Sequence, residues 1–281
     1  MAETAKGERV AKRIARAGVC SRRAAEALIA EGRVRVDGTL LDSPAVTVAP
    51  EARVTIDGRP LPAPEPTRVW RYHKPKGVVT SARDPQGRPT VFERLPPDLP
   101  RVVSVGRLDL NSEGLLLLTT DGALKRRLEL PATGWTRRYR VRVHGQVEPE
   151  RLAALAQGVR VAGIDYGPIE ATFERRTGAN AWLKVSLREG KTREVRRVLE
   201  HLGLTVNRLI RVAYGPFQLG RLPSDRAEEV PAKVLREQLG VAGAGGEKSG
   251  TAKAKPRARK PGAQARRTKT KARHANRRRP A

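Results

Sequence analysis

Residues 102 to 118 read VVSVGRLDLNSEGLLLL. Two apolar runs, Val102 to Val105 and Leu115 to Leu118, flank a polar loop centred on Arg107, Leu108 and Asp109. Short apolar runs bounded by glycine and polar residues predict buried strands, so a carboxylate is held between two buried elements. On the residues alone that carboxylate has two readings. It is either a reactive group presented by a stiff frame, or a loop aspartate bonded to nearby amides or to Arg107, which is the commoner fate.

Working outward, Tyr139, Val141 and Val143 share one face of an alternating strand, and Arg138, Arg140 and Arg142 share the other. Tyr139 therefore faces inward, either as an ordinary core tyrosine with a satisfied hydroxyl or as a ring that stacks on a base. The run LREGKTREVRRVLEHLG (residues 187–203) predicts a helix capped by Thr192 and ended by Gly203, with Val195, Val198, Leu199 and Leu202 buried. At 100° per residue Arg193 and Arg197 point away from that stripe, whereas Arg196 lies on its flank. From there it reaches a partly buried anion, with Asp109 as the expected partner, or lays its stem along the core edge with the guanidinium in water. Upstream, VWRYHKPKGVVTS (residues 69–81) predicts a strand at Val78 and Val79 and a rigid basic turn from Lys74 to Gly77, where a phosphate docks on Lys74 and Lys76.

The N-terminal sixty residues have a different pattern. Ala11, Ile14, Ala15 and Ala17 recur at helical spacing before Gly18; Ser21 is placed to cap a second helix with Ala24, Ala25, Leu28 and Ile29 inside and Gly32 at its end. Val34 and Val36 alternate with Arg33 and Arg35 ahead of an Asp37-Gly38 pair, which predicts a tight hairpin. Arg13, Arg16, Arg22, Arg23, Arg33 and Arg35 lie on polar sides, as an RNA-facing or a merely solvated surface. LPAPEPT (residues 61–67) predicts an extended linker between this unit and the next.

Composition limits the function classes. The chain has 281 residues and a net charge of +28, which points to a polyanionic partner, nucleic acid first and acidic membrane second. Residues 247–281 carry 14 Lys or Arg against one Glu, so +13 of the +28 sits in a stretch without Val, Ile, Leu or aromatic residues, and +15 remains on residues 1–246. Such a stretch is expected to be a disordered polyelectrolyte. No apolar run approaches the roughly 20 residues a membrane span needs, and no signal-peptide core opens the chain, so a cytoplasmic protein is expected. With one cysteine and four scattered histidines, no disulfide or thiolate metal site is expected. Neither a GxxxxGK[ST] loop, a glycine-rich dinucleotide turn nor HExxH occurs, so any chemistry rests on a few ordinary side chains.

The run RVAKRIARAGVCSRRAAEALIAEGRVRVDG (residues 9–38) resembles an S4 domain, a small RNA-binding module. That resemblance implies that Ser21, Arg22, Arg23 and the Arg33 to Gly38 hairpin, including Arg35, form an RNA-docking face. Beyond it, HKPKG, GRLDLNSEGLLLLTTDG, the YRV strand, GKTREVRRVLEHLG and RLIRVAYGPFQLG, in that order, resemble the RsuA/RluB/RluE/RluF family of ribosomal RNA pseudouridine synthases.

For that family the resemblance implies an α+β fold: an S4 domain over residues 8–60, a Pro-rich linker over 61–67, and a mixed, largely antiparallel synthase sheet over 68–240. Residues 1–7 and 241–281 are the expected flexible start and basic tail. Asp109 is implied as the essential carboxylate, acting at the ribose C1′ or C2′ while uracil is detached, turned and rejoined through C5, without cofactor or metal. A flipped-out uridine closes the site around an ionised Asp109, so a cation is needed, and Arg196 is implied to supply it. Tyr139 is implied to stack on the base, and Lys74, Lys76, Arg107 and Arg193 to meet RNA.

Ser112 stands where threonine is common in the family and Leu130 where histidine is frequent. The stretch from Glu189 to Gly220 looks most like the RluB branch, which modifies large-subunit ribosomal RNA; the RsuA branch, acting on small-subunit RNA, or the RluE and RluF branches are the alternatives. From another class, a non-catalytic ribosome-assembly protein is opposed by the intact Asp109, Tyr139 and Arg196. The expected partner is ribosomal RNA or a pre-ribosomal particle, met by a monomer.

Overall fold

The structure is a computed structural model that describes residues 7–240; the basic tail and the first six residues lie outside the described residues. The first unit runs β1 (Glu8–Arg9), α1 (Val10–Arg16), α2 (Arg22–Ala30), β2 (Val34–Val36), β3 (Thr39–Leu40), β4 (Thr47–Val48), β5 (Val54–Ile56) and β6 (Arg59–Pro60). Its local signals act as their chemistry dictates. Gly18 follows α1 in the left-handed region, and the Ser21 hydroxyl oxygen accepts the amide of Ala24 at 3.0 Å to cap α2. Asp37 and Gly38 both take positive φ, which turns β2 back into β3. An equivalent Asp57-Gly58 pair closes a second hairpin between β5 and β6, giving the sheet order β3-β2-β5-β6. Val10, Ile14, Ala25, Ile29, Val34 and Val54 fill the core between helices and hairpins, while Ala24, expected inside, is exposed.

The second unit continues with β7 (Val69–Lys74), β8 (Val103–Val105), β9 (Glu113–Thr119), α3 (Gly122–Glu129), β10 (Arg137–His144) and α4 (Pro149–Ala154). It then runs through β11 (Val159–Val161), β12 (Ile164–Tyr166), β13 (Ile169–Thr177), β14 (Asn180–Leu187), α5 (Glu194–His201), β15 (Thr205–Tyr214), β16 (Phe217–Gln218), β17 (Ala227–Glu229) and α6 (Ala232–Leu239). Nine of these strands form one mixed sheet in the order β13-β14-β10-β15-β9-β7-β17, with β8 added to β9 and β16 to β15. Every pairing is antiparallel except β15 with β9, which rests on two register pairs, Ile210 with Glu113 and Arg211 with Gly114.

That parallel junction divides the sheet into two halves. On the β10 side, Val141, Val143, Leu183 and Val185 pack with Leu152 of α4 and Val195, Val198 and Leu199 of α5. On the β9 side both faces are covered: Leu115 and Leu117 meet Leu124 and Leu128 of α3 and Leu235 of α6, while Leu116 and Leu118 meet Trp70, Tyr72, Val78 and Leu108. At the junction Gly114 has φ +105°, and a Cβ there would sit 2.8 Å from the Arg211 nitrogen and overlap the Arg211 carbonyl. Only glycine lets the two backbones approach this closely.

Two expected elements differ. Val78 and Val79 do not form a strand; Val79 makes one isolated bridge to Thr90, and the strand lies earlier, at β7. Helix α5 starts at Glu194 behind Arg193 in the left-handed region, without a side-chain cap, so Thr192 does not cap it. The Glu194 carboxylate accepts the amide of Lys191 at 2.9 Å instead, and Gly203 ends the helix region with positive φ as expected.

Candidate active site

The loop from Gly106 to Ser112 leaves β8 and returns to β9 beside the parallel junction, and it is tied down from several directions. Lys74, the last residue of β7, is fully buried and donates its ammonium to the carbonyls of Pro75 (3.0 Å), Asp109 (3.1 Å) and Ser112 (2.9 Å). The Thr80 hydroxyl donates to the Leu108 carbonyl at 2.9 Å, and Gly77 donates its amide to Leu110 at 2.8 Å. Glu129 of α3 accepts the Gly106 amide at 2.5 Å while paired with Lys125. Hydrogen bonds from a charged donor contribute about 1.5–3 kcal/mol each, so Lys74 alone holds this loop firmly. Burial pushes the Lys74 amine down to about 8, against the pull of the Asp109 and Glu113 charges.

Lys74 therefore is not the RNA contact expected from a basic turn. Its parity with Trp70 and Tyr72 on β7 puts it inside, where it clamps the Asp109 loop. Lys76, two residues on, is exposed.

Asp109 is half-buried at the edge of a cleft of about 550 Å³. Tyr139 of β10, half-buried beside the β10-side core, lines the same cleft, so the two residues singled out from separate motifs meet in space. The exposed Arg107, Arg193 and Lys191 line it too, together with the half-buried Arg137 of β10 and the buried Arg211 of β15. The cleft walls thus carry six Lys or Arg side chains against the carboxylates of Asp109, Glu129 and Glu194, an excess of cations that suits a phosphate-bearing substrate.

Arg196 is buried as its helical position predicts, yet it does not ion-pair with Asp109. Its two terminal amino groups donate to the carbonyls of Val206 (3.0 Å) and Asn111 (2.8 Å), and its Nε has no partner among the described residues. Burial, chiefly, and the neighbouring Arg193 push its pKa down, while the charge of Asp109 pushes it back up. Arg196 acts on the loop by holding the Asn111 carbonyl and on Asp109 through space. Periodicity predicts which face a side chain occupies but not which of several acceptors it takes.

Sequence reading missed four wall residues, Arg137, Glu194, Arg211 and Tyr214. Arg211 is buried, donates Nε to the Leu115 carbonyl at 2.7 Å and stacks over Tyr214, whose hydroxyl donates to Leu128 at 2.8 Å. Arg137 also lies over the Tyr214 ring and donates to its hydroxyl at 3.2 Å. Glu194 is buried with one carboxylate oxygen unpartnered, and burial raises its pKa. The RVAYGP stretch that resembles the family is the signal that would have found Tyr214 and Arg211 together. Ser112 is buried with its hydroxyl unpartnered, and Leu130 is exposed on the surface.

In the N-terminal unit, Arg22 and Arg23 are exposed on the first turn of α2, next to the capping Ser21. Arg33 and Arg35 are exposed but engaged within the unit: Arg33 holds Asp57 bidentately and Glu31 at 3.0 Å, and Arg35 donates to the Gly38 carbonyl. Among the described residues no three His, Cys, Asp or Glu side chains cluster as metal ligands, and no helix is long and apolar enough to cross a membrane.

Comparison with known proteins meets this geometry from outside. Residues 68–201 match the family model for RNA pseudouridylate synthase, and residues 8–60 match the S4 domain. An uncharacterized RNA pseudouridine synthase of Rickettsia bellii is 46% identical over 229 residues, 82% of this chain and 99% of that protein. The ribosomal large subunit pseudouridine synthase B of Yersinia pestis is 44% identical over 244 residues, covering 82% of this chain and 76% of that protein. Among solved structures, a pseudouridylate synthase crystal structure superposes with a TM-score of 0.58 at 27% identity, over 82% of this chain and 99% of that one.

Proposed function

Because the chain belongs to the RNA pseudouridine synthase family, we propose that it isomerises one uridine of large-subunit ribosomal RNA, with Asp109 as the reacting carboxylate. The observation that carries this reading is the convergence of Asp109, on a loop fastened by Lys74, Thr80 and Gly77, with Tyr139 in one cation-rich cleft. In the isomerisation the N1–C1′ bond breaks, the base turns within the cleft, and a C5–C1′ bond forms. The proton leaves C5 and N1 gains one, so the product has the composition of the substrate. A uridine flipped from its stack needs a wall to lie against, and Tyr139 provides the stacking face.

Asp109 acts on the ribose, at C1′ or C2′, from a backbone held by the loop's hydrogen bonds, and it is returned unchanged when the C5–C1′ bond forms. Arg196 is a positioning residue: it holds Asn111 and contributes positive charge near the carboxylate without quenching it in a direct pair. Arg107, Arg193 and Lys76 meet the RNA backbone around the cleft. Residues 8–60 dock RNA through Arg22 and Arg23 without chemistry of their own, while residues 68–240 carry the reaction. The 44% identity to a large-subunit enzyme favours that target over the small subunit, and the protein works as a monomer on RNA or a precursor particle in the cytoplasm.

The test is carbodiimide mapping of pseudouridine across ribosomal RNA from cells lacking the protein, complemented with wild type or Asp109→Asn. One large-subunit site is expected to vanish, returning with wild type only, while purified Asp109→Asn keeps RNA affinity within about threefold. A small-subunit site would overturn the target, and rescue by Asp109→Asn would overturn the assignment of the carboxylate.

A further inference from the structure

Strand β10 presents Tyr139, Val141 and Val143 to one side and Arg138, Arg140 and Arg142 to the other, and the second side is unused by the cleft. Helices α4 and α5 both pack on the Tyr139 side. On the opposite side of β13, β14 and β10, no helix and none of the apolar clusters lies among the described residues.

Strand register assembles that uncovered side into an ordered array. Arg175, Trp182, Arg142 and Arg208 are successive partners across β13, β14, β10 and β15, a row roughly 14 Å long at about 4.8 Å per strand. The adjacent row places Lys184 beside Arg140, and the next places Arg138 beside Ser186. Along β10 the arginines repeat at about 6.8 Å, two residues of strand rise, a spacing comparable to that of successive phosphates on one strand.

Two of these cations are already engaged: Arg140 binds Glu174 at 2.7 Å and Arg208 binds Glu113 at 2.6 Å. Arg138, Arg142, Arg175 and Lys184 have no acidic partner among the described residues, and the buried Arg142 Nε has no hydrogen-bond partner at all. Trp182, a large aromatic on an otherwise polar face, lies beneath Arg140 at 4.6 Å and is 9% exposed.

We propose that this face is a second RNA-docking surface, which grips the phosphate backbone of an RNA segment lying outside the target stem-loop. Charge complementarity selects phosphate as the ligand, and four unpaired cations on a rigid sheet meet it without reading sequence. The stacked Arg140 covers the Trp182 ring, so bases have no open platform here and the backbone is what is recognised. The inference rests on RNA as the substrate of the cleft and extends the footprint to the reverse of the same strands.

The test uses the full chain with Arg138→Gln, Arg142→Gln, Arg175→Gln and Lys184→Gln combined, and two probes. One is a short stem-loop carrying the mapped uridine, the other the full-length large-subunit RNA transcript. On the long transcript the variant is expected to raise KM at least tenfold with kcat unchanged, and to flatten the log–log salt dependence of binding by about one for each phosphate no longer neutralised. On the stem-loop, KM and kcat are expected to match wild type.

An unchanged salt slope and KM on the long transcript would overturn the proposal. So would an equal loss on both probes, which would make the face a mere support of the cleft. Wild-type RNA binding combined with loss of a bound acidic protein would likewise assign the face to protein and overturn it. Should the fourfold variant melt early, Arg175→Gln with Lys184→Gln, both at exposed positions, carries the same comparison at about half the slope change. A wild-type protein that fails to convert the stem-loop would sink the cleft reading instead, so the two failures are separable.

Discussion

The two halves of the central sheet solve burial differently, and their strands show it. Strand β9 reads EGLLLLT and is buried at every leucine, because α3 and α6 cover one side and the segment from Val78 to Leu108 covers the other. Strand β10 reads RRYRVRVH and alternates, because α4 and α5 cover one side only. Continuous against alternating hydrophobicity thus reports the number of covered faces. The candidate site sits where the halves meet, at the parallel junction of β15 and β9, and neither pattern holds there: Gly114 interrupts one and buried Arg211 the other.

The comparison breaks first at its seam. Gly114→Ala is expected to lose more than about 4 kcal/mol or fail to fold, since it adds both backbone strain and overlap with Arg211. A near-wild-type denaturant midpoint would mean that the halves part at little cost and the junction does not hold the cleft. Next, an alanine scan along each half should separate them. Leu115 through Leu118 should each lose about 2–5 kcal/mol, whereas on β14 Leu183→Ala loses a similar amount and Lys184→Ala stays within about 0.5 kcal/mol. Alternation along β9, or uniform losses along β14, would undo the covered-face reading.

The smallest effect sharpens the comparison at Lys74, whose ammonium is enclosed in the doubly covered half. Lys74→Met should lower stability by about 1–3 kcal/mol at neutral pH, leaving loop carbonyls unsatisfied. It also changes the pH dependence. The folded protein releases the Lys74 proton at about 8 and the unfolded chain at the ordinary 10.5, so within that window the unfolded state holds the extra proton. This group's contribution to stability therefore rises with pH between those values, by up to about 1.4 kcal/mol per pH unit, and is flat below them. Denaturant midpoints of Lys74→Met against pH should lack that rise; parallel curves would place the titration elsewhere.

Much of this was legible in the residues. Ser21, Gly18, Gly32 and the Asp37-Gly38 turn act locally, so their elements followed from local chemistry. Asp109 and Tyr139 were legible because each sits in a strongly patterned segment, and the family resemblance joined them. The rest depends on contacts distant in sequence. No local signal reveals that Arg196 takes the carbonyls of Asn111 and Val206 rather than the Asp109 carboxylate. The order β13-β14-β10-β15-β9 and its single parallel pair likewise arise from packing between segments up to about a hundred residues apart. Lys74 was misread for a different reason: a basic residue before Lys-Gly suggests a surface turn, although its parity with Trp70 and Tyr72 already marked the inward face.

That buried lysine also makes the loop's behaviour chemically visible. Lys74 is sealed from solvent, so an acylating reagent reaches its amine only when the Asp109 loop opens. The rate at which native protein acquires a label at Lys74 is therefore a clock for loop opening that runs without substrate, product or turnover.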